Sequence, residues 1–313
     1  MLTIAQREER RSCIGGSDWA SILGVEGAYG TPLDVWRSKT EPVADEESTY
    51  AQARGDALEP FVVQWFGREA KKRVQVDKWV DEPVPFTPDA SLPLWWKCQI
   101  DAIVHEDGHV IPLEAKTATV RKRGEWGESG TDQVPLRYVV QVMAQIAYLG
   151  VPYGYLAVDI GGDEFRHYRI ERDDALIAHM LAKGAEFWRL VETRTPPAPT
   201  TTAEANLVWR RHEPGEWLEA DGHVQAILRA IAEHKAEEKS RGELRERLEL
   251  QLKMLLEHRE GVRQGDRVLC TWKTQESERI DTKALRKEQP QIAVRYLKTS
   301  TTRVLRVKEQ SDE

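Results

Sequence analysis

Asp101, Glu114 and Lys116 are the residues whose types and spacing most directly spell out chemistry. Asp107-Gly108, between two apolar and β-branched runs, reads as a two-residue hairpin loop of the kind that needs positive φ. Pairing outward from Glu106 opposite His109 sets Asp101 directly across from Glu114, and Gln99 across from Lys116. Side chains alternate along a strand, so Glu114 and Lys116 share a face. Facing carboxylates repel unless something sits between them, and a hard divalent cation is the obvious occupant. A lysine fixed beside them on a strand is placed to orient or activate water. The outline is that of a metal-dependent phosphodiesterase site. Glu-x-Lys alone reads as the solvent face of an ordinary strand; Asp101 across from it is what points to a site.

The elements around this hairpin follow from periodicity and punctuation. Ser17 or Asp18 caps a short helix that ends at Gly24, and Thr31-Pro32 opens a second. Gly55-Asp56-Ala57-Leu58-Glu59-Pro60 leads into a helix striped by Phe61, Val62, Trp65 and Phe66. Residues 73–80 alternate as a strand, 83–93 form a proline-rich connection, and 95–104 and 109–116 are the two hairpin strands. Residues 119–134 are polar and contain glycine, a loop long enough to serve as a functional flap. A helix over 136–149, a second hairpin around Gly161-Gly162 and a helix over 173–193 complete this part.

The Thr- and Pro-rich stretch 195–202 marks a boundary, giving a core over 1–195 and an extension over 196–313. Within the extension, 216–259 is charged and helical, with Gly242 able to split it into a pair. Segments 267–272 and 303–307 read as strands. The chain is 313 residues long with 40% apolar and 31% charged residues, a soluble globular balance with no apolar run long enough to span a membrane. The first eleven residues lack a signal-peptide h-region, and Cys13, Cys98 and Cys270 are far apart, so a reduced, cytoplasmic protein is expected. The formal charge is −7, unusual for a nucleic-acid enzyme, but it is unevenly spread. Residues 263–308 carry twelve Lys/Arg against five Asp/Glu, net +7, leaving about −14 elsewhere. Arg121-Lys122-Arg123 is a second basic run, just past Lys116.

In this order the segments resemble the lambda-exonuclease-like, YqaJ-type viral recombinase nucleases of the PD-(D/E)xK superfamily. The likeness rests on residues 10–18, on 55–60, on Asp101, on Leu113-Glu114-Ala115-Lys116-Thr117, and on 134–145, and it covers about 10–190. The resemblance implies an α/β, restriction-endonuclease-like core, a mixed central sheet flanked by helices. It implies that Asp101, Glu114 and the Ala115 carbonyl hold Mg²⁺, with Mn²⁺ able to substitute, and that Lys116 is the catalytic lysine. Glu59 would be a further acidic ligand or water-positioner, and Gln141 would line the pocket. Arg10 or Arg11, with Ser17, would contact the phosphate of a DNA end, and Arg121, Lys122 and Arg123 would add phosphate contacts. The implied activity is a 5′ to 3′ exonuclease on linear duplex DNA that leaves 3′ single strands for phage-type recombination. The implied setting is a bacterial host carrying phage or prophage, with a ring-like homo-oligomer and a single-strand annealing protein as partners. Two rival readings are a CRISPR-adaptation or AddB-like nuclease, usually carrying a four-cysteine iron–sulfur site, and a DNA-end-binding module that does not cleave. Trp95, Trp96 and Trp126 could stack bases, with core packing as the competing reading.

Overall fold

The computed structural model describes residues 8–42, 49–76 and 88–307. The chain forms two compact units, residues 1–204 and 205–313. Among the described residues no helix is long and apolar enough to cross a membrane.

The first unit is built on five strands: β1 (Val74–Val76), β2 (Ala102–Glu106), β3 (His109–Ala118), β4 (Tyr153–Ile160) and β5 (Glu164–Glu171), adjacent in that order. All pairings are antiparallel except β3 with β4, which run parallel. Parallel neighbours need a crossover, and the helix over Leu136–Leu149 supplies it. The architecture is therefore α/β with a mixed sheet flanked by helices, as expected. Every residue of β4 is buried, as a strand covered on both faces requires. Gly154 on β4 lets the crossover helix approach closely: a Cβ there would come within 2.8 Å of Val142 Cγ1 and 3.1 Å of Ile146 Cγ1. The β2–β3 hairpin has the expected register from Glu106 opposite His109 to Ala102 opposite Leu113, and the pairing ends there, so Asp101 with Glu114 and Gln99 with Lys116 are not strand pairs. Its turn residues carry φ of +51° at Asp107 and +78° at Gly108.

Helices α1 (Trp19–Ile22), α2 (Pro32–Thr40), α3 (Tyr50–Glu69), α4 (Leu136–Leu149) and α5 (Asp174–Glu192) flank the sheet. Thr31 caps α2 by accepting from the Asp34 N–H at 3.2 Å, with Pro32 in the first turn. Helix α3 starts earlier than Gly55, because Thr49 provides the cap through the Gln52 N–H. Gly150, at φ +65°, closes α4.

Three expectations for this unit change. Residues 95–101 are not strand: Trp96 is buried with its ring centroid 4.3 Å from that of Trp19 and pairs by an isolated bridge with Ile14. The backbone on either side of Trp96 bonds to Ile14 instead, Ile14 N–H to the Trp95 carbonyl at 2.6 Å and Lys97 N–H to the Ile14 carbonyl at 3.2 Å. Trp95 and Trp96 are packing residues, with Trp95 stacked near Trp188. Neither Ser17 nor Asp18 caps α1, since a 3₁₀ turn over Gly16–Asp18 precedes it and Asp18 reaches back to the Gly15 N–H at 2.9 Å. The segment 119–134 is not a free flap. It opens with a 3₁₀ turn over Val120–Glu125, and Trp126 is buried between Tyr138 and Tyr168, at 5.2 and 5.9 Å between ring centroids. Arg166 donates to the Trp126 and Gly127 carbonyls at 2.6 and 2.8 Å, and the Tyr168 hydroxyl donates to the latter at 2.6 Å. Of the strand expected over 73–80, residues 77–80 lie outside the described residues, as do 83–87 of the connection that follows it.

The second unit contains α7 (Gly222–Leu256), the hairpin β6 (Gly261–Gln264) and β7 (Arg267–Thr271), and two short helices, α8 (Thr282–Glu288) and α9 (Pro290–Arg295). A further helix, α6 (Thr202–Val208), spans the boundary between the units. Of the two alternatives, one helix or a pair, the single helix forms and runs through Gly242, because a glycine inside a helix costs only about 1 kcal/mol against alanine and a long helix absorbs it. Residues 303–307 have no strand partner among the described residues.

Candidate active site

Glu114 and Lys116 lie two apart on β3 and meet on one face: the Lys116 ammonium donates to Glu114 Oε1. Asp101 stands immediately before β2. Its Oδ2 accepts from the Ala115 N–H at 3.0 Å, which ties the end of one hairpin strand to the peptide between the other two site residues. Ala115 therefore contributes its N–H here, to Asp101. Both carboxylates are buried.

Helix α4 completes the surroundings. Gln141 Nε2 donates to Glu114 Oε1 at 2.6 Å, and Gln145 Nε2 donates to Oε2 at 2.5 Å and to the Gln99 carbonyl at 3.3 Å. One helical turn separates the two amides, so both project from the same face of α4 onto β3. Gln145 is fully buried. The sequence motifs mark only Gln141; the i, i+4 repeat of glutamine within an apolar helix is the signal for the second. The Lys116 ammonium also lies 5.6 Å from the centroid of the Tyr138 ring, whose hydroxyl is 2.7 Å from that of Tyr29.

The electrostatics follow from this crowding. Burial, then the charge of Asp101, pushes the Glu114 carboxyl up to about 7 despite the opposing ammonium. Burial also works against the Lys116 charge, yet the attraction of Glu114 and Asp101 together outweighs it and holds that amine above the usual lysine range. An amine held toward its charged form in this way is suited to stabilising negative charge or orienting water. Two buried carboxylates close enough that the charge of one acts on the other form a donor set that a hard divalent cation fits. Among the described residues no group of three His, Cys, Asp or Glu side chains stands at metal-holding spacing. Glu59, buried on α3, is accordingly not brought into one cluster with Asp101 and Glu114.

A second cluster forms beside α4. Arg10 Nη2 donates to Ser17 Oγ at 2.8 Å and lies 3.4 Å from Asp18 Oδ1. Arg11 points elsewhere, to Glu8 at 2.9 Å and to the Lys39 carbonyl at 3.4 Å. The structure thereby separates two arginines that the sequence leaves equivalent. Lys39, which no motif marks, is buried with Nζ 2.6 Å from Asp18 Oδ2 and 2.9 Å from the Arg10 carbonyl. A Cβ on Gly16 would sit 3.5 Å from Gln141 Cγ, so this loop packs against the residue that holds Glu114. Arg121, Lys122 and Arg123 are exposed on the 3₁₀ turn. Lys122 pairs with Glu125 at 3.7 Å and Arg123 with Glu164 at 2.7 Å.

The chain has relatives among known proteins. A family model described as the YqaJ-like viral recombinase domain matches residues 6–151. The protein YqaJ of Bacillus subtilis (strain 168), itself described as uncharacterised, is 30% identical over 312 residues, covering 97% of this chain and 93% of that protein. Among solved structures, an alkaline exonuclease (LHK-Exo) from Laribacter hongkongensis is 18% identical with a TM-score of 0.44, covering 60% of this chain and 91% of that one. A phage-related exonuclease from Haemophilus somnus 129PT is 10% identical with a TM-score of 0.41, covering 58% and 96%.

Proposed function

Because the chain belongs to the YqaJ-like viral recombinase family, we propose that it is a metal-dependent DNA exonuclease acting on linear duplex ends, with its chemistry at Asp101, Glu114 and Lys116. The observation that carries this reading is the tie between Asp101 Oδ2 and the Ala115 N–H at 3.0 Å, which gathers both carboxylates and the lysine at one end of one hairpin. Asp101, Glu114 and the Ala115 carbonyl would hold Mg²⁺, with Mn²⁺ as a substitute. Bound there, the ion would polarise the scissile phosphate and lower the pKa of the attacking water.

The residues of the chain do the rest. Lys116, held charged, stabilises the negative charge that develops on the phosphate. Gln141 and Gln145 fix both oxygens of Glu114, so the carboxylate is oriented before substrate arrives. Arg10 and Ser17 receive the phosphate of the DNA end, the planar guanidinium matching its oxygens, while Lys39, paired with Asp18 and bonded to the Arg10 carbonyl, holds the Arg10 backbone in place. The basic turn at Arg121–Arg123 contributes phosphate contacts along the strand. Glu59 on α3 is kept as a water-positioner rather than a shared ligand. Degradation from a 5′ end, leaving a 3′ strand for recombination by an annealing partner, is the direction this reading takes.

A linear duplex labelled at either its 5′ or its 3′ terminus, incubated with Mg²⁺, tests the reading. Early release of 5′ label as mononucleotide, with covalently closed circles untouched, supports it. Early 3′ release, or nicking of circles at equal rate, overturns it.

A further inference from the structure

The second unit has a basic stretch that the active-site reading does not use. Residues 261–307 contain eleven Lys/Arg against five Asp/Glu. Among the described residues, Lys273 alone of the eleven is in an ion pair, with Glu260. Asp281 commits its carboxylate to the Lys283 and Ala284 N–H groups at the start of α8, which leaves still less to neutralise the cations nearby. The first unit is different: Arg10, Arg37, Lys39, Arg123, Arg137 and Arg166 each lie against a carboxylate. Among the described residues the cations of this stretch are thus mostly without a carboxylate partner, whereas those six of the first unit have one.

Two exposed aromatic rings accompany that charge. Trp272 is 44% and Tyr296 75% exposed. Each has a cation beside its ring, Lys253 Nζ at 5.7 Å from the Trp272 centroid and Arg295 Cζ at 5.9 Å from that of Tyr296. A large exposed ring next to an unpaired cation has a poor reason to exist in a folded unit, where burial of either ring would release apolar surface from water. Together they suit a polymer that alternates anionic phosphates with flat unpaired bases. A duplex hides the faces of its bases, whereas a single strand presents phosphates and open base faces in regular alternation.

We propose that residues 205–313 form a single-stranded DNA-binding module, with phosphates held by the free arginines and lysines of 261–307 and bases stacked on Trp272 and Tyr296. Such sites combine a basic track with aromatic platforms and are tolerant of sequence. The inference stands on the second unit alone and is independent of the active-site reading.

The test uses the full chain in chelator, so that no cleavage intervenes, and a labelled oligo(dT) of about 16 nucleotides, the upper end of single-strand footprints per fold. Anisotropy is measured for the wild type, for Trp272→Ala/Tyr296→Ala and for Arg263→Gln/Arg267→Gln/Arg279→Gln, beside a duplex of equal length. The altered positions are exposed, and circular dichroism monitors the fold. The module predicts at least about tenfold weaker oligo(dT) binding in the aromatic variant, with duplex binding little changed. The charge variant should flatten the dependence of log affinity on log salt by about 0.7 for each phosphate that is no longer neutralised. Oligo(dT) binding unchanged in both variants overturns the proposal. Equal weakening for duplex and single strand in the charge variant, with no effect of the aromatic pair, overturns it in favour of a duplex-binding surface. Duplex degradation measured separately in Mg²⁺ reports on Asp101, Glu114 and Lys116, so failure of either reading is recognisable without the other.

Discussion

Gln145 Nε2 stands 2.5 Å from Glu114 Oε2, so the buried carboxylate of the site is held from the helix that follows its own strand. The same amide reaches the Gln99 carbonyl at 3.3 Å, joining β3 to the segment that leads into Asp101. On the proposed function, Gln145 acts as a positioning residue for Glu114. Gln145→Leu keeps the volume and removes the donor, and it should lower Mg²⁺-dependent activity by about 10–100-fold. The specific sign is a higher Mg²⁺ concentration for half-maximal rate, with substrate KM nearly unchanged. An unaltered metal dependence would remove Gln145 from the site.

Lys116→Met should cut turnover by about 10²–10³-fold, the range for losing one preorganised group that stabilises transition-state charge. Affinity for a DNA end, measured in chelator, should stay within about threefold, because the interaction is made mainly in the transition state. Loss of binding equal to the loss of rate would make Lys116 a binding residue instead.

Trp126 is an anchor. Its ring is packed between Tyr138 and Tyr168, and its carbonyl accepts from Arg166 at 2.6 Å. Trp126→Ala should destabilise the first unit by about 3–5 kcal/mol, as for other large-to-small core changes, and lower its denaturation midpoint. A change below about 1 kcal/mol would mean that the segment over 119–134 is the mobile flap its composition suggests.

Arg10 and Arg11 should behave differently. Arg10→Ala should abolish a preference for 5′-phosphorylated over 5′-hydroxyl linear duplex, since Arg10 faces Ser17 while Arg11 faces Glu8. Arg11→Ala should keep it. Equal rates on both ends in the wild type would discard the end-sensing site and leave the cleavage site standing.

Much of the fold and site is legible in the sequence because it is local. A two-residue Asp-Gly turn fixes the hairpin register, and period-two alternation then puts Glu114 and Lys116 together. The crossover helix shows its length through its apolar stripe and the glycine that ends it. What stays hidden depends on which surfaces meet. Gln145 looks like an ordinary polar residue until α4 is laid on β3. Trp126 looks like a loop residue until Arg166 and Tyr168, some forty positions on, reach its backbone. Lys39 carries no motif, and only the packing of α2 against the turn at Gly15–Asp18 brings it to Asp18. Gly242 reads as a break, but a lone glycine inside a 35-residue helix is too small a penalty to split it.

The most direct test of the central claim is the rate of linear-duplex loss for the wild type, Glu114→Gln and Asp101→Asn, each with Mg²⁺ and with chelator, beside circular dichroism of all three. The account predicts degradation by the wild type that needs Mg²⁺ and stops in chelator. It predicts a fall of at least about 100-fold in each folded variant, since each loses a charge that the metal and the reacting phosphate require. Wild-type cleavage that persists in chelator, or near-normal rates in either variant, would contradict it.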